Sequence, residues 1–99
     1  MNIKYYKSEL DGRVYEGIQV SVDNCREICH WAGGFYACNS SGRVMGIILN
    51  PHFENAEFVA LDNWVIMDPD GMAEGAPNNG FLDTYIELPI EFNPLMKWS

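Results

Sequence analysis

Every apolar run in this chain is short and punctuated. Val44–Leu49 is interrupted by Gly46 and closed by Asn50-Pro51; the runs Glu57–Leu61 and Trp64–Met67 are closed by Asp62-Asn63 and Asp68-Pro69. Runs of this length suit strands and exclude both a bundle of long helices and a membrane span. Only one segment carries helical spacing. Cys25, Ile28, Cys29 and Ala32 follow the i, i+3, i+4, i+7 pattern, with Asn24 and Glu27 placed as a capping box and Gly33-Gly34 as a left-handed stop. One main helix is therefore expected over about residues 24–32, with the cysteine stripe facing the core.

The other segments read as antiparallel strands. Residues 3–6 and 14–20 alternate around the Asp11-Gly12 turn, and 35–38 and 43–49 flank the polar turn Asn39-Ser40-Ser41-Gly42. Residues 72–80 form the most loop-like stretch; Asn78 or Asn79 caps a single turn over residues 81–84, and 85–92 is the last strand. The expected fold is α+β, mostly an antiparallel sheet of six or seven short strands with one main helix. A chain of 99 residues that is 47% hydrophobic and 13% aromatic forms a single small domain, residues 1–99, rather than a disordered segment. Trp31 and Trp64 are expected to anchor its core.

Charge is unevenly distributed along the chain. Residues 1–43 hold five basic and five acidic side chains, whereas between Val44 and Met96 there is no Lys or Arg and nine carboxylates. The whole net charge of −8 thus resides in the C-terminal half. This sign disfavours nucleic acid and anionic membranes as partners. It leaves two readings: carboxylates that keep the protein soluble, or an acidic face that steers a basic partner. The carboxylates placed on that face are Asp62, Asp68, Asp70 and Glu74, around a turn-rich region, and Glu87 and Glu91, which strand alternation puts on one side.

The order of four motifs resembles a family of small bacteriophage proteins of unassigned function. The residues that carry the resemblance are Tyr15-Glu16-Gly17-Ile18-Gln19, Cys29-His30-Trp31-Ala32-Gly33-Gly34, Leu61-Asp62-Asn63-Trp64-Val65-Ile66 and Phe81-Leu82-Asp83-Thr84-Tyr85. It covers about residues 13–86 and implies a phage setting and a shared fold. It transfers no activity and no site.

The residues that carry chemistry form no recognisable constellation. Cys25, Cys29, His30, Cys38 and His52 are the soft metal ligands, but Cys-x3-Cys within a helix is not a zinc-knuckle spacing, and both helical thiols lie on the core stripe. Reduced thiols, no metal and no cofactor are expected. A Cys38/His52 hydrolase lacks an orienting partner and a nucleophile elbow. Asp68-x-Asp70-Gly71 begins like a calcium loop, but Asn79 stands where the closing Glu belongs. The glycines do not form a phosphate cradle.

The sequence thus points to a cytoplasmic, non-enzymatic binding protein. Its expected role is inhibitor of a host or defence protein, an anti-CRISPR being one case, acting through an acidic surface that occludes a basic, nucleic-acid-binding site. The alternatives are an oligomeric sponge for a small nucleotide signal and a minor phage structural or assembly component. The tail Pro94-Leu95-Met96-Lys97-Trp98 either joins two copies or folds back on its own sheet.

Overall fold

The computed structural model describes residues 2–89. In chain order these form β1 (Lys4–Ser8), β2 (Val14–Gln19), α1 (Cys25–Ala32), β3 (Phe35–Cys38), β4 (Val44–Leu49), β5 (Glu57–Ala60), β6 (Trp64–Met67), β7 (Ala73–Ala76), α2 (Phe81–Thr84) and β8 (Tyr85–Glu87). The strands do not make one sheet as expected. They form a five-stranded antiparallel sheet, ordered β7-β6-β2-β1-β8, and a three-stranded antiparallel sheet, ordered β3-β4-β5.

The division follows from α1, which takes the chain from β2 to a new hairpin. Gly33 adopts a left-handed conformation, φ 75°, and the N–H groups of Gly33 and Gly34 both donate to the Cys29 carbonyl at 2.8 and 3.0 Å. This closes the helix where the glycine pair predicts. The start of the helix differs from expectation. The Asn24 side chain makes no forward cap bond; its Oδ1 accepts from the Ser21 N–H at 2.8 Å and its Nδ2 donates to the Gln19 carbonyl at 2.8 Å. Asn24 therefore ties the preceding turn to β2 rather than capping the first helical turn.

Two cores lie on opposite faces of the five-stranded sheet. Ile18, Val20, Val65 and Ala73 face Ile47, Leu49 and Val59 of the second sheet and Cys25 and Ile28 of α1. The helical stripe thus packs inward as its spacing predicts, with Cys29 and Ala32 half-buried at its margin. Each fully buried aliphatic side chain here contributes about 1.5–3 kcal/mol. Trp31 packs against this core only partly buried, and Trp64 does the same on the other.

The second core is aromatic. Directly opposed residues on neighbouring strands share a sheet face. The pairings Tyr6↔Tyr15, Gly17↔Ile66 and Trp64↔Ala76 therefore put Tyr6, Tyr15, Trp64, Ile66 and Ala76 on one face. The short α2 lies on it. Its Phe81 stacks on Trp64 at 4.0 Å and on Tyr85 at 4.7 Å, with the Tyr6 ring edge-on at 5.4 Å. Gly17 makes room for this, since a Cβ there would sit 3.0 Å from the Tyr6 ring.

The stretch 72–80 is not the loop its composition suggests, because Ala73–Ala76 is a strand paired with β6. Alanine, glycine and glutamate are weak strand formers, and the register with β6 overrides their propensity. The helical turn at 81–84 is present, but it is capped by Gly80 rather than by an asparagine side chain. The last strand is described as Tyr85–Glu87; Glu91, Trp98 and the proposed tail contact lie outside the described residues.

Candidate functional site

The fold brings cations from the N-terminal half to the acidic C-terminal half. Because β8 pairs with β1, the Glu87 carboxylate lies 3.5 Å from the Lys4 ammonium. Arg13, in the β1–β2 turn, reaches Asp70 at 3.3 Å. Both pairs are exposed, the Asp70 side chain being 80% accessible, so each contributes little to stability. Asp62 occupies the β5–β6 turn with φ 74°, where its main-chain N–H donates to the Val20 carbonyl at 2.8 Å.

Asp68 has a structural job. Its Oδ1 accepts from the N–H groups of Asp70 and Met72, both at 2.9 Å, and so closes the β6–β7 turn. This accounts for the Asp-Pro-Asp-Gly motif without a cation. Asp68→Ala should lower unfolding free energy by about 1–2 kcal/mol through loss of these bonds, whereas Asp70→Ala should stay within about 0.5 kcal/mol. Urea titration of the two variants checks this; equal effects would contradict the assignment.

Glu74 and Glu87 share the aromatic face by register, through Glu74↔Ile66, Gly17↔Ile66, Lys4↔Gly17 and Tyr6↔Glu87. They stand on opposite edge strands, four strand spacings or roughly 19 Å apart. The five acidic candidates among the described residues therefore do not form one continuous surface. Asp68 and Glu74 do come together, in a groove of about 380 Å3 whose wall also includes Glu57, Asn50, Tyr15 and Arg13.

Glu57 is the residue that sequence reasoning passed over. It opens an apolar run and so reads as an unremarkable strand terminus, yet its Oε1 accepts from the Gly75 N–H at 2.9 Å and links the two sheets. A Cβ at Gly75 would lie 2.8 Å from the Glu57 Oε2, so the glycine permits this approach. Nothing local in the sequence signals that contact, because residues 57 and 75 meet only through β5 packing on β7.

A strong hydrogen bond orders one end of the groove. The Tyr15 hydroxyl donates to Asp11 Oδ2 at 2.6 Å, and the Arg13 N–H donates to Asp11 Oδ1 at 2.9 Å. The Tyr15 bond and then the Arg13 N–H hold the Asp11 carboxyl below its ordinary range. The same hydrogen bond, with burial, pushes Tyr15 up to about 12. Burial first, then the Glu74 and Asp11 carboxylates, raises Tyr85.

Tyr15 therefore stabilises the fold fully below the unfolded tyrosine pKa of about 10, and this contribution is lost as pH rises through about 12. Asp11 contributes above the ordinary carboxylate range and loses its contribution as pH falls through its lowered value. The stability difference between wild type and Tyr15→Phe should be flat from about pH 5 to 10 and shrink on either side. Urea unfolding across pH measures it; a difference unchanged at pH 12 would remove the hydrogen bond from the account.

The soft ligands are scattered. Cys25 is buried, Cys29 half-buried and Cys38 exposed, all three as free thiols, and burial pushes the thiols of Cys25 and Cys29 up. His52 stacks edge-on against Phe35 at the start of β3. Cys38 ends that strand, three residues or about 10 Å further along. Among the described residues no group of three or more His, Cys, Asp or Glu is placed to hold a metal ion. No described helix is long and apolar enough to cross a membrane. No protein-family model, curated protein or solved structure matches the chain.

Proposed function

We propose that this chain is a non-enzymatic binding protein that takes a basic side chain of a partner protein into the groove of Glu57, Asp68 and Glu74. It acts as an inhibitor by occluding the partner's basic, nucleic-acid-binding surface, in the manner of a phage anti-defence or anti-CRISPR protein in the host cytoplasm. The observation that carries this reading is the groove's composition. Three carboxylates line it against one cation, Arg13, which is itself engaged by Asp70. A lysine or arginine head entering there meets acceptors on several sides, and the surrounding negative charge speeds its approach. Catalysis finds less support, since His52 packs against Phe35 at the start of β3 while Cys38 closes the far end of that strand.

The reading also fits the remaining charge. Asp62 and Asp70 are exposed at the two ends of the β6 hairpin, where they extend the negative field without entering the groove. Association with an arginine-rich peptide tests it. Raising salt from low to physiological should slow the on-rate, because charges beyond about 10 Å are screened at 0.1 M. An on-rate indifferent to salt would assign the acidity to solubility alone.

A further inference from the structure

A second groove, of about 300 Å3, opens at the other end of the aromatic face, bounded by Asn2, Lys4, Tyr6, Gln19, Trp64 and Glu87. Tyr6 makes it unusual. The residue is only 3% exposed, its ring held edge-on by Trp64 at 5.6 Å and Phe81 at 5.4 Å. Its hydroxyl has no hydrogen-bond partner among the described residues. Tyr6 is one of the residues that line this groove. With no described residue taking up its hydroxyl, the buried ring offers a donor and an acceptor to a ligand.

We infer that this groove binds a neutral polyhydroxylated ligand, the ring of a sugar, with the Tyr6 hydroxyl as its central hydrogen-bond partner. The charge of the groove argues for neutrality. Lys4 and Glu87 lie 3.5 Å apart and offset each other, so an anion entering meets the carboxylate and a cation meets the ammonium. The polar groups are mixed in kind. Lys4 only donates, Glu87 only accepts, and Gln19, whose Nε2 is bound to the Asp62 carbonyl at 2.9 Å and Asn78 Oδ1 at 3.2 Å, presents its Oε1 acceptor. Tyr6 and Asn2 can do both.

A ligand whose every polar group both donates and accepts satisfies such a set, and hydroxyls do so. Leu82 and Trp64 supply apolar surface for its C–H face. A nucleobase fits less well, since the face of Trp64 on which it would stack is occupied on one side by the parallel ring of Phe81, at 4.0 Å and 2°. The volume suits one or two sugar rings and stands at the small end of ligand sites.

The test is an NMR titration of the full chain with glucose, galactose, ribose, N-acetylglucosamine and their disaccharides, alongside adenosine and glycine. The expected result is saturable shifts at Tyr6, the Trp64 indole and the Gln19 amide for at least one saccharide, unchanged between low and high salt. Tyr6→Phe should weaken that binding at least tenfold while leaving the unfolding midpoint unchanged, since its hydroxyl bonds to none of the described residues. Glu87→Gln, which keeps an acceptor, should weaken it less. Absence of saturable shifts with every saccharide, saturation by adenosine or glycine alone, or saccharide binding indifferent to Tyr6→Phe would each overturn the inference.

Discussion

Gly46→Ala should destabilise the protein by about 3 kcal/mol, lowering the thermal midpoint by roughly 10–25 °C for a domain of this size. The cause is a close approach of two strands. A Cβ built at Gly46 would lie 2.2 Å from the Val59 carbonyl oxygen and 3.0 Å from the Ala60 Cα, both backbone atoms of β5 that cannot swing aside. The site also adjoins an irregularity. Ala37 pairs with Gly46 but Cys38 with Val44, so Met45 is an extra residue on β4, and its carbonyl accepts from the Leu61 N–H at 3.2 Å. Shifting β5 would disturb Val59, which is buried in the core between the sheets.

Gly42→Ala is the comparison. Its backbone has φ 80° but nothing lies within 4 Å of an added Cβ, so only the left-handed strain of about 1–2 kcal/mol applies. Comparable losses in urea unfolding for the two variants would refute the steric account of Gly46.

The elements that could be read from the sequence are those whose signals are local. Helix α1 is set by its spacing and its glycine stop, β6 lies at Trp64–Met67 as its apolar run indicates, and the β3–β4 turn falls on its Asn-Ser-Ser-Gly segment. Pairing between distant segments carries no such signal. That β2 pairs with β6 and β1 with β8, leaving β3, β4 and β5 to a sheet of their own, depends on which apolar faces meet after α1. Strand β7 was hidden for the same reason, since Ala73-Glu74-Gly75-Ala76 becomes a strand only beside β6.

The candidate site divides in the same way. The acidity of the C-terminal half was plain, but the neutralising partners Lys4 and Arg13 are remote in sequence from Glu87 and Asp70. Asp68 resembled a free surface charge until its bonds to the Asp70 and Met72 N–H groups placed it in the turn. Charge reversal at Asp68 therefore mixes folding with binding. Glu74, exposed on β7 and lining the groove, is the better probe, and Glu57 is less suitable because it holds Gly75 at 2.9 Å.

Charge reversal by Glu74→Lys should weaken association with a basic partner roughly tenfold, because it replaces an acceptor with a repelling ammonium inside the groove. Stability should change by no more than about 0.5 kcal/mol, since Glu74 is exposed. Reversal also makes the whole molecule less negative, so a neutral substitution matched elsewhere separates place from total. Asp23 serves for that match: it is exposed in the turn before α1 and does not line the carboxylate groove. The most direct measurement is the dissociation constant for an arginine-rich peptide, at one salt concentration, of Glu74→Gln beside Asp23→Asn. The two variants carry the same net charge. The account predicts a loss of roughly fivefold for Glu74→Gln, about 1 kcal/mol, and little change for Asp23→Asn; equal losses would contradict a groove that recognises a basic side chain.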